Sequence, residues 1–527
     1  MRNGMDIADH QARELVADLN AKGVDLWMHG GKLHYKSAKG KVSQQDVELL
    51  RRLKEEVSKL LDQSMMHRPD LPAKMSDMAP MPLTSLQRQL WRDPAKSEIS
   101  NCLCVSTTQI VGELNAGLLK LSIEHVVHRH DALRTSFLVI DGVQCQIVNP
   151  DAIFEFEVID CSAGGEASAL ERSREVAQGR YDQPMDICGR KLVSFILFEI
   201  ARDNHIFISF ISHMICDGIS KNIVNKEIWS IYDKLHRGDR SVLAPVAQQF
   251  SEYVAWQQSF WELHGDRISQ YWNRRLNEQP PLRLPRWGKR GTVRRSDVIS
   301  RRFTVGAMIV ERINQLSRHL RIGVPIIFFS IYLIVMSSWC SQRDIVVKFS
   351  SDGRFRLELL NTVGFVTTIL QLRINLSIDE TFLDLVRKAN DELTAAIENH
   401  DLDHAPFIVK DLGFDLNYNW TPDHVGWSAV TGEHADRVDR RLRLIDYLPV
   451  FPAPFAMYFS GNANSIVINF WHLPEFISSA TVESLAGDLC FVAEKMSSQP
   501  RTKIGDLVVI PTKEWAAAAQ SAASTVG

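Results

Sequence analysis

Residues 207–220 read FISFISHMICDGIS, an apolar, β-branched run that leads into His213, with Asp217 and Gly218 following shortly after. Imidazole titrates close to neutral pH, so a histidine at the end of such a run can take or hold the proton of an attacking amine or alcohol. Asp217 can fix the loop by pairing with a cation, and Gly218 permits a backbone conformation closed to other residues. Spacing alone fits two descriptions, a catalytic histidine or a structural His–Asp pair, because ion pairs also serve structure alone.

The elements that must position this loop read as an α/β alternation. A strand at 205–211 runs into the loop and a helix at 220–235 leaves it, the arrangement in which α/β proteins place chemistry. Upstream, 83–91 and 114–130 carry helical spacing, and 144–148 and 191–199 read as strands. After a Trp-rich stretch at 253–272 the pattern restarts. Helices are predicted at 309–319, 381–398 and 481–496, with a strand at 345–349. Two α/β lobes of similar size fit this pattern better than one sheet. Gly323–Cys340 carries no charge and sits at the lower limit for a membrane span. Its Gly-Val-Pro opening and its serines predict a buried core helix instead, with Pro325 tolerated in the first turn.

Before these lobes, residues 5–63 read as a separate small unit. A helix at 9–22 stops at Gly23, two strands at 24–27 and 32–36 meet at a Gly30-Gly31 turn, and a helix at 43–61 begins at Ser43. Residues 64–79, rich in Met, Pro and polar residues, read as a linker, and the Ala/Ser-rich end as disordered.

At 527 residues the chain exceeds a single core, and 45% hydrophobic against 23% charged residues is an ordinary globular balance. The formal charge of -3, from 60 basic and 63 acidic side chains, gives no global field of the kind that attracts nucleic acid. The eight cysteines show no CxxC pair and no zinc-type spacing, so no metal is expected and the thiols read as reduced. The N-terminus lacks an apolar stretch followed by a cleavage site, and the expected location is cytoplasmic.

SHMICDG at 212–218 is similar to the HHxxxDG signature of the condensation domains of nonribosomal peptide synthetases, with Ser212 in the place of the first histidine. The rest of that family's motifs follow in order. MPLTSLQRQLW at 81–91 resembles the opening motif and RHDALRTSF at 129–137 the second. Gln257 with the stretch from Tyr271-Trp272 to Leu284-Pro285 resembles the link between lobes. SSDGRFRLELLNTVGFVTTILQLR at 350–373 and HAPFIVKDLGFD at 404–415 resemble the later motifs. The resemblance covers about residues 80–512. It implies two chloramphenicol-acetyltransferase-like lobes in a V-shaped pseudodimer, 80–252 and 253–512, with a tunnel reaching the histidine from both faces; the Ala/Ser-rich composition beyond it reads as a disordered tail at 513–527.

By the same resemblance His213 is the essential histidine that deprotonates or positions the nucleophile, and Asp217 is a structural aspartate with Arg354 as its partner from the other lobe. Arg134 is expected to hold the loop as well. Ser212, which still donates and accepts hydrogen bonds, is a tolerable replacement where the first histidine supports local structure. The implied donor is an acyl thioester on the phosphopantetheine arm of a carrier protein. The acceptor is an amine or a hydroxyl, free or carrier-bound. No bound cofactor or metal is implied. Because the chain ends soon after the last family-like segment, the enzyme is expected to act in trans, chain release being one form. The rival expectations are a non-catalytic recruitment module and an epimerising relative.

Residues 12–61 resemble the TubC-type β-hairpin docking domain, placing a docking unit at 1–63 and a linker at 64–79. Lys32, Lys36, Lys39 and Lys41 stand beside Trp27 and Tyr35, with no acidic residue from Leu26 to Gln45. Such a ribbon can bind an extended acidic peptide by strand addition and charge. The expected ligand is the acidic C-terminal tail of an upstream synthase that ends in a carrier protein.

Overall fold

A computed structural model describes residues 11–13, 15–16, 18–19, 24–29, 32–36, 42–66, 79–91, 103–183, 187–188, 191–239, 243–278, 298–400, 416–422, 440–444, 455–461, 464–507, 509–513 and 515–516. In the N-terminal unit, strands β1 (Asp25–His29) and β2 (Lys32–Lys36) form an antiparallel ribbon. Ser43 caps α1 (Gln44–Arg52) through a reciprocal pair with Asp46, as its side chain predicts. The single helix expected at 43–61 is two: the chain turns at Leu53 and continues as α2 (Lys54–Met66), which runs into the expected linker. The turn keeps Leu50, Leu53, Val57 and Leu60 all in one small core with Ala12, Val16 and Leu19.

The first lobe contains β3 (Met81–Pro82), α3 (Ser85–Trp91), β4 (Leu103–Gly112), α4 (Ala116–Arg129), β5 (Thr135–Ile140), β6 (Val143–Val148), β7 (Glu155–Asp160), α5 (Glu166–Asp182), β8 (Val193–Ala201), β9 (Asn204–Ser212) and α6 (Gly218–His236). β9 lies between β4 and β8 and is buried along its whole length. Its alternate residues feed two cores: Phe207 and Ile211 on one face, Ile206, Ile208 and Phe210 on the other. A strand covered on both faces is mostly apolar rather than alternating, which is why 205–211 reads as a largely apolar run interrupted only by His205 and Ser209.

α7 (Phe250–Leu276) leads into the second lobe, which comprises β10 (Ile299–Thr304), α8 (Ala307–Leu320), α9 (Val324–Trp339), β11 (Asp344–Ser351), β12 (Thr368–Asn375), α10 (Phe382–Glu398), β13 (Leu416–Pro422), β14 (Arg440–Leu444), β15 (Phe455–Gly461), β16 (Ile466–His472) and α11 (Ser479–Ser498). Its six-stranded sheet has the order β10-β16-β15-β13-β11-β12. In β11 and β16 burial alternates, with Ile345, Val347 and Phe349 or Ile466, Ile468 and Phe470 turned to the core. The uncharged segment is α9, buried on every side, with Pro325 in its first turn. Among the described residues no single helix is long and apolar enough to cross a membrane.

Three expected boundaries shift. α7 starts at Phe250, so a division at 252/253 cuts its first turn. β14, from the C-terminal half, pairs antiparallel with β4 and extends the first lobe's sheet. The tail is not disordered at Trp515, whose indole is buried and donates to the Trp339 carbonyl at 3.0 Å.

Candidate active site

The turn after β9 is tied down on every side except at His213. Ser212 is the last residue of β9, and its N–H donates to Leu192 O at 2.9 Å. Its buried hydroxyl accepts a long hydrogen bond from Met214 N at 3.4 Å, so this side chain supports the turn. Gln87, fully buried in the opening motif, donates from Nε2 to Met214 O at 2.7 Å. The loop backbone is thereby fixed from the first helix of the lobe.

Asp217 caps α6, its Oδ1 accepting from Ser220 N at 2.8 Å. Arg354 crosses from the second lobe and donates from Nη1 to Oδ2 at 3.0 Å and from Nη2 to Oδ1 at 3.2 Å. Val366 N and Thr367 N donate to Oδ2 at 3.1 and 3.0 Å. Burial by itself raises the Asp217 carboxyl, but the Arg354 guanidinium and the Ser220 donors outweigh it, and the group titrates below the usual carboxylate range. Arg354 also donates to Thr362 O, Asp352 O and Ser220 Oγ, and Ser220 Oγ exchanges hydrogen bonds with the backbone of Gly364. The two lobes are joined here by a buried, bidentate ion pair whose carboxylate also accepts from the backbone N–H groups of Ser220, Val366 and Thr367.

His213 is half-buried, with its ring centroid 4.6 Å from that of Phe365. Its Nδ1 is buried and has no hydrogen-bond partner among the described residues. Asp217 is committed to structure, whereas no hydrogen bond at Nδ1 from the described residues fixes the tautomer of His213.

Two expectations are corrected. Arg134 does not brace this loop: it donates to the carbonyls of Asn149 and Pro150, closing β5 against the end of β6. Gly218 needs no special conformation, since its φ is not positive and an added Cβ would meet nothing within 4 Å. The glycines that are required stand opposite. Gly353 has φ +68 and a Cβ there would overlap Val366 O; one at Gly364 would overlap the Phe250 ring.

Sequence reasoning missed Gln87, Ser220, Phe365 and both of these glycines, although each lies in or beside one of the family-like motifs. The second motif also finds its purpose here. Asp131 accepts from Phe250 N and Ser251 N at 3.0 and 2.9 Å, capping α7 and aiming Phe250 at Gly364. Gln257 lies buried in α7 and donates to the Tyr253 hydroxyl, and Trp272 Nε1 donates to Asn399 O. Leu284-Pro285 and the 404–415 motif lie outside the described residues.

On the ribbon, Trp27 pairs with His34, Lys36 with Asp25 and Lys32 with His29, which places these positions in one alternate set. Tyr35 pairs with Leu26 and belongs to the other set, the one that holds the core residues Leu26 and Leu33. It is nevertheless 47% exposed. The register therefore sets Tyr35 apart from Trp27, Lys32 and Lys36. Lys39 and Lys41 lie outside the described residues.

This loop, its cross-lobe latch and the two-lobed fold agree with a family assignment on sequence. Residues 78–412 match the condensation domain, and the chain belongs to that family; residues 13–63 match the TubC N-terminal docking domain. A component of the linear gramicidin synthase of Brevibacillus parabrevis is 27% identical over 65% of this chain and 4% of its own length. Gramicidin S synthase 2 of Brevibacillus brevis is 23% identical over 77% of this chain and 9% of its length. The chain thus spans less than a tenth of these relatives. Among solved structures, the X-domain from teicoplanin biosynthesis is 18% identical, covering 84% of this chain and 100% of its own with a TM-score of 0.69. A structure on condensation domain-mediated chain release from the enacyloxin polyketide synthase is 19% identical, covering 94% and 98% with a TM-score of 0.61. These likenesses establish the α/β condensation-domain fold.

Proposed function

We propose that this chain is an acyltransferase that moves an acyl, peptidyl or polyketide chain from the phosphopantetheine thioester of a carrier protein to an amine or hydroxyl supplied in trans, in the cytoplasm. The observation that carries the reading is the contrast within one loop. The Asp217 carboxylate is saturated by Arg354 and backbone donors, while Nδ1 of His213, four residues back in the same loop, has no hydrogen-bond partner among the described residues.

In the reaction, the acceptor's nitrogen or oxygen attacks the thioester carbonyl and His213 receives or orients its proton. The tetrahedral adduct collapses, the carbon–sulfur bond breaks, and the pantetheine thiolate takes up the proton as the amide or ester forms. Holding carrier and acceptor on either side of a fixed imidazole supplies proximity that two freely diffusing reactants lack. Release of a finished chain onto a small molecule is one form, in keeping with the chain release that a condensation domain mediates in the enacyloxin polyketide synthase. The TubC-type ribbon supports docking of an acidic, extended C-terminal tail of an upstream carrier-bearing synthase, by strand addition to an open ribbon edge.

The test is an intact-mass assay of acyl-loaded carrier bearing the partner tail, with amines and alcohols offered to wild type and His213→Ala. A product whose mass equals donor plus acceptor, formed only with His213 present, supports condensation and names the bond. Epimerisation would leave the carrier mass unchanged. A second reading, recruitment without catalysis, is favoured by Ser212 and by likeness to the X-domain, one of whose structures is a complex with OxyB. Docked carrier with an intact thioester across the whole panel would select it.

A further inference from the structure

The N-terminal unit is not merely tethered. Arg13, on its first helix, donates from Nη1 to the backbone carbonyl of Arg354 at 2.9 Å. Two partly buried residues of the second lobe, Leu357 and Leu360, pack against its core. The 3-10 turn Leu357–Leu359 lies against α2, and α2 in turn lies against β1 of the ribbon.

That same short segment is gripped from its other side by the loop of His213. The guanidinium of Arg354 holds Asp217 while Arg13 holds the carbonyl of the same residue. Downstream, Thr362 Oγ1 donates to Gln248 O, Gly364 is bonded to Ser220, and Val366 and Thr367 donate to Asp217. Residues 354–367 therefore form a strap with the docking core on one side and the catalytic turn on the other.

We infer that Arg13 is a positioning residue for the catalytic centre: the docking domain clamps the 354–367 strap, and through Arg354 and Asp217 that clamp sets the His213 turn. Sub-ångström movement of a strap fixed this tightly is transmitted rather than absorbed, because packed interiors are stiff. A ligand seated on β1 and β2 reaches the strap through α2, and any preference it has for the clamped state raises the occupancy of the competent turn by the same factor.

The inference deepens the condensation reading in its kinetic part only, so the deciding experiment has a readout independent of turnover. Hydrogen exchange of the full chain is compared for wild type, Arg13→Ala and Arg13→Lys. Severing a charge-assisted hydrogen bond should speed exchange of peptides covering 352–367 and 213–220 by about tenfold in Arg13→Ala, while 44–66 stays protected. Arg13→Lys, which keeps a donor, should recover most of the protection. Leu360→Asn weakens the packing of the strap on the docking core from the lobe side and should likewise speed exchange over 352–367 and 213–220. In the mass assay, the matching result is a lower kcat with an unchanged KM for carrier. Wild-type exchange over 352–367 in both Arg13→Ala and Leu360→Asn overturns the inference. Coupled exchange in a chain that condenses nothing would sink the acyltransfer reading while leaving the clamp in place.

Discussion

Arg354 lays both terminal nitrogens of its guanidinium across the two carboxylate oxygens of Asp217, with side chains 1% and 0% exposed and the partners 137 positions apart in sequence. Breaking such a pair leaves an uncompensated charge in the interior, at a cost of about 3–5 kcal/mol. Arg354→Met should lower the urea midpoint accordingly. The double variant Arg354→Met, Asp217→Leu should lose less than the two single changes summed, since neither charge is then stranded. A double variant that is strictly additive would refute the coupling.

Acid should unfold the protein through the same kind of group. The Glu227 side chain is 13% exposed; its partial burial raises its carboxyl, but His130 and Arg129 outweigh that, and like Asp217 it titrates below its ordinary range. With folded values depressed, the unfolded chain binds protons first. Their stabilisation is therefore complete above the unfolded carboxylate values and is lost as pH falls through the folded ones. Thermal midpoints should drop steadily across that acid window, and Glu227→Gln should flatten the drop. An unchanged slope in that variant would remove Glu227 from the account.

Three glycines in the motifs should behave differently. Gly218→Ala has open space and an ordinary backbone, so stability should change by no more than about 0.5 kcal/mol. Gly353→Ala and Gly364→Ala should each be severely destabilising, because the new methyl meets a carbonyl oxygen in one case and a phenyl ring in the other. Denaturant midpoints for the three variants decide this directly.

Ser212→Ala removes one long hydrogen bond to Met214 N and leaves the backbone bonds of the turn intact. Its condensation rate should stay within about threefold of wild type, a loss of well under 1.4 kcal/mol in the barrier. A drop of a hundredfold would give the hydroxyl a chemical role.

Trp515→Ala should cost about 3–5 kcal/mol, the usual loss for a large buried aromatic side chain. Its ring stands edge-on to Trp339 at 4.9 Å, and its N–H is satisfied there. A melting temperature equal to wild type would restore the expectation of a loose tail.

Much of this was legible because the relevant signals are local. The largely apolar 205–211 run, the Ser43 cap and the proline opening of α9 all depend on neighbours within a turn or two. Arg354 was reached only through motif order, since nothing near Asp217 in sequence announces a partner in the other lobe. Arg134 was misplaced for the complementary reason: its neighbours in the motif are structural, and its own partners, Asn149 and Pro150, are carbonyl groups that carry no side-chain signature. Gly353 and Gly364 carry no local signal because the atoms that exclude a side chain, Val366 O and the Phe250 ring, belong to the loop that leads into β12 and to a distant helix. The break at Leu53 was invisible because the apolar period continues through it.

The strand at Arg440–Leu444 has a consequence for synthesis. It covers the flank of β4 that would otherwise be a bare edge, with Leu444 opposite Thr108 and Arg440 opposite Gly112. On the ribosome, β4 emerges long before its partner, so the first lobe must wait with a row of unpaired amides and carbonyls, a template for mispairing between nascent chains. Closing so long a loop adds only a logarithmic entropy penalty, but the closure cannot begin until most of the polypeptide has been made. The two lobes are therefore finished together, and dividing the gene between them would yield a first half with an open sheet.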